Sequence, residues 1–495
     1  MKRISILILG VVIFLSGCSL APKYSRPLNP IPEHWPSGPA YTKAYQAADV
    51  LDASQLRWQE FFTDPKLQQV IQMALQNNRD LRLAALNMER ARALYGVQWS
   101  KLFPVLNANT GWNKQRYSND FLAAGSPKVV EQYTVNLGIT AWEIDFFGRI
   151  RNLSEQALEE YFNTAEARRS AQITLISEAS RAYFVIAADQ ARLNLAYSTL
   201  ETQENSYNLV LHKFKANLIN ETDLCRAQTQ VDTAKLDIET YTQQIAKDKN
   251  ALNLLAGCPV PEDLLPVDLA NVKPLKDIFP GLSSEVLLRR PDIMAAEHTL
   301  KGAYANIGAA RAAFFPSISV TTTLGSASSS FSNLMGSGRG TWLYSPQATL
   351  PIFNMQTWAL YRVSKADQKI ALTKYEKTIQ TAFREVADVL AVQGTVNQQI
   401  VTQDSKVSSA EKVYRITSKR YANGIDSYLS VLDAQRSLYT AQKELIALQL
   451  SKLANEVKTY EVLGGGAFED AGGKSQGNRD ALQDCVLSTL ESKLR

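Results

Sequence analysis

A chain of 495 residues can bury a large core, or two domains' worth of core. Its 53 Lys and Arg against 48 Asp and Glu leave a net charge of +5, too small for this length to imply a nucleic-acid partner. Beyond residue 20 no stretch approaches a run of 18 apolar residues. That excludes a transmembrane helix, so any membrane crossing would need a β-barrel.

In chain order, Lys2 and Arg3 precede an apolar run from Ile4 to Leu15, closed by Ser16-Gly17-Cys18. Basic, then apolar, then small residues predict a signal peptide over residues 1–17. Leu15-Ser16-Gly17-Cys18 resembles a bacterial lipobox, which implies that Cys18 is lipidated and becomes the first residue of the mature chain. Ser19 stands where lipoproteins retained at the inner membrane carry Asp, so the implied destination is the outer membrane. Residues 18–58 read as a lipidated, extended N-terminal segment. The remaining cysteines, Cys225, Cys258 and Cys485, are odd in number and give no disulfide framework.

Residues 59–270 and 271–466 are one unit written twice. Asn77-Asn78-Arg79-Asp80-Leu81 corresponds to Arg289-Arg290-Pro291-Asp292-Ile293, and Lys101-Leu102-Phe103-Pro104 to Ala313-Phe314-Phe315-Pro316, both 212 residues on. Later matches fall 207 residues apart: Phe214 with Tyr421, Ala227-Gln228 with Ala434-Gln435, and Leu255-Ala256-Gly257 with Val462-Leu463-Gly464. Each half predicts a short helix, a helix ended near Pro104 or Pro316, two strands, and two long helices. The first helical pattern covers Leu67–Leu75 and Leu81–Leu102, the second Leu282–Leu288 and Ile293–Phe314. Strands are expected at about Val105–Tyr117, around Tyr133–Trp142, over Ile318–Leu324 and over Trp342–Ile352, from period-two alternation. The connections Ser118–Gln132 and Ser326–Gly340 are polar or small and suit an exposed rim.

The first long helix runs from about Gly148 to Phe214 without proline or internal glycine, ~100 Å at 1.5 Å per residue. Heptad spacing places Ile176, Tyr183, Gln190, Tyr197, Glu204 and Leu211 on one stripe and Ala179, Ile186, Leu193, Leu200, Tyr207 and Phe214 on its companion. Ile379, Val386, Gln393, Ile400, Val407, Tyr414 and Tyr421 repeat the pattern. The returning helices carry Leu224, Val231, Ile238, Ile245 and Leu252, and then Ile425, Leu432, Tyr439, Ile446, Leu453 and Tyr460. Asn217 and Gly424 are expected in left-handed turns at the hairpin tips, with Asn220 and Ser427 capping the returning helices. The tail 467–495 is polar and aperiodic, with a short helix expected around Asp484–Leu494.

Four strands cannot close a barrel, so two, three or four copies would be needed, giving 8, 12 or 16 strands. Apolar faces would meet lipid and the Thr, Ser, Asn and Gly faces water. Trp112, Tyr117, Tyr133, Trp142, Trp342 and Tyr344 lie near strand ends, where aromatic girdles sit.

The lipobox, the duplication, Asp145-Phe146-Phe147-Gly148-Arg149, Arg290-Pro291-Asp292-Ile293 and Leu432-Asp433-Ala434-Gln435-Arg436 together resemble the TolC-like outer-membrane efflux proteins, in their lipoprotein branch typified by OprM. The likeness covers roughly Pro22 to Gly466. It implies an α+β, mainly α fold. Three copies would share one twelve-stranded outer-membrane β-barrel, four strands per chain, continued by a long periplasmic α-helical barrel. It further implies a passive multidrug efflux duct, of the RND type, working with a periplasmic adaptor and an inner-membrane transporter. Leu429, Asp433 and Arg436 lie at i, i+4 and i+7 on one helix face beyond the Gly424 turn. They match the constriction of that branch, with Tyr421 and Asp223 as further polar ties, so a gate is expected at these tips. Arg436 is expected to offset Asp433 within its own helix or across chains.

No enzyme is expected. His34, His212 and His298 are scattered over three elements, and Gly336-Ser337-Gly338-Arg339-Gly340 lacks the lysine and helix of a phosphate loop. No metal or cofactor is implied. A duct for secreted proteins shares the architecture, whereas a structural periplasmic coiled-coil lipoprotein would need no amphipathic strands.

Overall fold

The computed structural model describes residues 19–41, 56–118, 120, 122, 123, 125–269, 275 and 284–466. Cys18, Cys485 and the expected helix at 484–494 lie outside them. Short helices α1 (Trp58–Phe61) and α2 (Pro65–Asn77) precede α3 (Arg79–Ser100). Strands β1 (Leu106–Arg116) and β2 (Val129–Ile144) lead into α4 (Arg149–Lys215) and α5 (Glu221–Ala256). The order then repeats with α6 (Pro291–Ala312), β3 (Ser317–Ser328), β4 (Gly340–Thr349), α7 (Met355–Ala422) and α8 (Tyr428–Val462).

All four strands form one antiparallel sheet in the order β1-β2-β3-β4. Leu106 faces Ile139 and Arg116 faces Val129, so the β1–β2 ladder continues through residues expected to be loop. An antiparallel register carries its partner along, and β1 extending to Arg116 holds residues 129–132 in β2. The β3–β4 ladder likewise reaches Ser326 and Gly340, narrowing the second connection. Between Ile139 and Trp142 the β2–β3 register shifts, and Ala141 takes a left-handed φ of 50° while its N–H donates to Thr321 Oγ1 at 3.0 Å. Trp112 stacks on Tyr133 across the β1–β2 pair, and Phe331 meets Tyr133 edge-on. At the other end of the sheet Phe147 stacks on Phe315. The outer strands β1 and β4 are exposed along their whole length, and among the described residues no strand pairs with their outer edges.

The duplication is visible as a repeated fastening. Asn78 caps α3 through Leu81 N–H and donates to the carbonyl of Leu255 at 3.0 Å. Its counterpart Arg290 donates to the carbonyl of Val462 at 2.8 Å, and Val462 is the counterpart of Leu255. Arg290 also forks onto Asp292 (2.8 Å) and reaches Glu385 (3.0 Å), fixing the start of α6 against α7 and α8. Each returning helix ends beside a glycine in the left-handed region, Gly257 at φ 70° and Gly464 at φ 69°.

Heptad packing holds in α7, where Ile379 and Val386 are fully buried and Gln393, Ile400, Val407 and Tyr414 are half-buried. In α4 the companion stripe from Ala179 to Phe214 is buried or half-buried, but its expected partner stripe is displaced. Tyr197 is 54% exposed and Glu204 exposed, while Ala196, Gln203 and Val210, each one residue earlier, are buried. Residues three and four beyond a stripe member flank it on opposite sides, and the bulk of Tyr197 and Leu211 hides which side is packed. The returning helices bury Val231, Ile238, Ile245 and Leu252, and then Leu432 and Tyr460; Ile425 falls in the turn and is exposed.

By contacts the chain forms two compact units, each drawing on both repeats. One comprises the described residues within 1–28, 88–164 and 296–375, and the other those within 29–87, 165–295 and 376–495. In the first, the N-terminal segment lies as a strap on helices. Ser19 Oγ donates to Asn152 Oδ1 (2.7 Å), Arg311 reaches the Leu20 carbonyl (3.1 Å), and Tyr24 and Arg26 both grip Glu297 (3.1 and 2.6 Å). In the second, Trp35 stacks on Phe383 and Ser284 Oγ donates to the Pro32 carbonyl. The strap touches helix interiors at glycines: a Cβ on Gly308 would sit 2.8 Å from Ala21, and one on Gly394 would overlap the Ala40 carbonyl. Among the described residues no helix is long and apolar enough to cross a membrane.

Candidate gate at the hairpin tips

The hairpins α4–α5 and α7–α8 turn through Asn217 and Gly424, both in the left-handed region as their residue types allow. Asn220 caps α5 by accepting from Asp223 N–H at 3.1 Å. Ser427 does not cap α8; its hydroxyl lies 3.3 Å from that of Ser430 instead. The second turn is tied by a bidentate pair, Arg420 to Asp426 at 2.8 and 3.0 Å.

One apolar cluster holds the two tips together: Val210, Ala227, Tyr421, Tyr428, Val431 and Leu432, with Tyr207, Ile219, Leu224 and Tyr414 around it. Tyr421 and Tyr428 lie 5.4 Å apart between ring centroids. Lys213 reaches across from α4, donating to the Tyr421 carbonyl at 2.8 Å with its ammonium 4.0 Å from the Tyr421 ring centre. Burial pushes the Tyr428 phenol up to about 12, and raises that of Tyr421 with help from the nearby Asp223 charge. Among the described residues, both hydroxyls are buried without a hydrogen-bond partner, as is the whole amide of Gln435. These groups make the tip cluster apolar in composition yet polar at specific points within it.

The expected gate residues occupy the opposite face of α8. Leu429 is 48% exposed, and Asp433 and Arg436 are exposed, whereas Tyr428, Val431, Leu432 and Gln435 point into the cluster. Arg436 does not pair with Asp433 in its own helix; its Nε faces Gln230 Oε1 of α5 at 3.4 Å. Among the described residues Asp433 has no hydrogen-bond or ion-pair partner within the chain. Asp223 pairs with Arg226 at 3.3 Å, and Tyr421 feels its charge without a hydrogen bond to it. The structure therefore gathers all five residues at the tips but joins Tyr421 to Lys213 and Tyr428 rather than to Asp223. Lys213 and Tyr428 escaped the sequence, although Tyr428 lies one heptad after Tyr421 and Lys213 is the repeat counterpart of Arg420. In the first repeat the counterparts of Leu429, Asp433 and Arg436 are Thr222, Arg226 and Thr229, so this constellation exists once per chain.

Of the three histidines, His298 has a structural partner. His298 Nδ1 lies 2.6 Å from Glu159 Oε2, joining α6 to α4. The glycine-rich segment 336–340 connects β3 to β4.

Comparison with known proteins agrees with this architecture. The family described as "Outer membrane efflux protein" matches over residues 70–258 and 282–465, the two repeats. The probable efflux pump outer membrane protein TtgC of Pseudomonas putida is 46% identical over 475 residues, covering 95% of this chain and 98% of its own. The probable outer membrane lipoprotein SilC of Salmonella typhimurium is 37% identical, covering 95% and 100%. Among solved structures, a membrane protein from Pseudomonas aeruginosa superposes with a TM-score of 0.85 at 36% identity, covering 92% of this chain and 99% of that one. The open-state MtrE outer membrane channel of Neisseria gonorrhoeae gives 0.81 at 34%, covering 91% and 99%. With its duplicated helix–strand–hairpin units, four-stranded open sheet and paired long hairpins, the chain belongs to the outer membrane efflux protein family, whose members are channels of the outer membrane.

Proposed function

We propose that this outer-membrane efflux channel is one third of a passive export duct. In this reading three chains close one barrel, and Leu429, Asp433 and Arg436 form its periplasmic gate. The observation that carries the gate is the two-faced start of α8: one face is locked into the tip cluster, while the other presents an apolar Leu429 and an unpaired Asp433. Around a threefold axis these become an apolar collar and a ring of three carboxylates, both recognised devices for controlling a pore. Arg436, held by Gln230 of the neighbouring hairpin of the same chain, would limit the repulsion of that ring. Cys18 would carry the lipid that holds the segment beginning at Ser19 at the membrane. A periplasmic adaptor and an inner-membrane transporter are the expected partners, since a passive duct supplies neither energy nor choice of cargo. Relatives named for toluene and antibiotic efflux point to small amphipathic or apolar cargo.

Asp433→Ala combined with Arg436→Ala is expected to raise single-channel conductance in a planar bilayer and weaken cation preference while leaving assembly intact. Conductance and selectivity at wild-type values would remove these residues from the gate.

A further inference from the structure

The strap keeps a steady register as it runs along α6. Arg26 meets Glu297 at 2.6 Å, and Tyr24 meets Tyr304 edge-on with ring centres 5.6 Å apart. Ala21 lies against Gly308, and the Leu20 carbonyl accepts from Arg311 at 3.1 Å. Six strap residues, 26 to 20, thus pass fourteen of α6, 297 to 311. That is close to the ratio for an extended chain rising ~3.3 Å per residue beside a helix rising ~1.5 Å. Continued at the same rate, position 18 would come level with Phe315, in the turn between α6 and β3. Ser19 is held by Asn152, three residues or ~4.5 Å along α4 from Arg149.

Arg149 and Phe315 both line a cleft of about 210 Å³ at the helix end of the sheet, formed by the β2–α4, α6–β3 and β4–α7 connections. Its charged side chains are already paired, Glu143 with Arg149 at 2.9 Å and Asp145 with Arg151 at 3.2 Å. Most of the remaining wall is apolar, with Ile144, Phe147, Ala312, Phe315, Pro316 and Pro351. Such a wall offers water few partners and suits an apolar guest. One turn of α4 away, a polar group is left over. Asn152 is only 4% exposed and its Oδ1 accepts from Ser19, but among the described residues its Nδ2 is buried without an acceptor.

We propose that this cleft seats an acyl chain of the lipid on Cys18. The seat presupposes that Cys18 is lipidated, and it adds a binding site for that lipid within the protein itself. An acylated cysteine brings both components the site lacks. Its hydrocarbon fills the apolar cleft, and an ester or amide carbonyl beside it gives Asn152 Nδ2 an acceptor. At ~30 Å³ for a water-sized group, about seven such groups fit, so the cleft takes part of one chain and leaves the rest to the bilayer. Tethering favours this occupant over a free phospholipid, because a chain attached one residue from Ser19 is present at high effective concentration.

The experiment feeds cells expressing the full-length protein a fatty acid with a diazirine in its chain, which enters both the Cys18 lipid and membrane phospholipids. After irradiation the intact protein is purified in detergent, digested with trypsin and read by mass spectrometry. The expected product is an internal cross-link from lipopeptide 18–23 to peptide 129–149 or 312–339, which carry Phe147 and Phe315. Ala313→Trp, which fills the cleft, should lower this product several-fold while the lipopeptide mass and the assembly stay unchanged. An unmodified Cys18 would remove the anchor and the seat together. Three other results would overturn the seat and leave the anchor standing: a lipidated Cys18 cross-linked only to membrane lipid, phospholipid adducts on 129–149 and 312–339 in place of the internal product, or a wild-type yield in Ala313→Trp.

Discussion

Arg290 binds Asp292, Glu385 and the Val462 carbonyl at once, with its side chain only 10% exposed. Replacing it with Met leaves a buried carbonyl and Glu385 without their donor, and that asymmetry makes the loss large. Arg290→Met is expected to destabilise the protein by about 3 kcal/mol, read as a fall in thermal unfolding midpoint by circular dichroism. Arg290→Lys should fall between, keeping the charge but not the fork. Lys406→Ala, which breaks the exposed pair with Glu444, should cost no more than about 0.5 kcal/mol. Equal effects of the two truncations would deny Arg290 its fastening role. Asn78 and Arg290 are legible as counterparts because the repeat aligns them. Their partners are not, because Leu255 and Val462 lie 177 and 172 residues away and no local pattern links them. The same holds at the tips: helical spacing reveals the face shared by Leu429, Asp433 and Arg436, whereas Lys213 on the Tyr421 ring depends on how two hairpins pack.

Helices and strands are legible in the sequence because their periods are set by local geometry, and their ends by residues such as Pro104, Pro316, Asn217 and Gly424. The displaced stripe in α4 shows the limit of periodicity, which fixes a seam's direction but not which flank of it a neighbour will press. The N-terminal strap is less legible still. An extended segment has no period, and the features that seat it, Gly308 and Gly394, look in the sequence like weak points of good helices. Their cost in helix propensity is offset where the strap's backbone needs the space. Gly308→Leu should therefore lift the strap from α6 while leaving the helix intact, and free Arg26 from Glu297. Limited trypsin digestion should then cut after Lys23, in the same strap, several-fold faster than in the wild type, with unchanged helical circular dichroism. Equal cleavage rates would mean that the segment is not held at that glycine.

At the scale of the whole molecule, the sheet decides the assembly. Among the described residues, no strand pairs with the outer edge of β1 or of β4, along 11 and 10 residues. In the hydrocarbon region each unsatisfied group costs several kcal/mol, so a solitary four-stranded sheet cannot persist there. Another sheet must cover each edge, and the simplest source is the same chain. Four strands alternating in direction place β4 antiparallel to the β1 of the next copy, so any number of copies preserves the antiparallel pattern. Closure by symmetry then makes all edges disappear together. Sheet geometry alone allows two, three or four copies; the family fold favours three. Mass measurement of the detergent-solubilised protein should give three mature chains, and β1 amides should exchange as slowly as those of the interior strand β2. A dimer or tetramer would change the copy number while preserving the principle of shared closure. A stable monomer with rapidly exchanging β1 amides would mean that the sheet edges are satisfied some other way, and the shared barrel would fall with it.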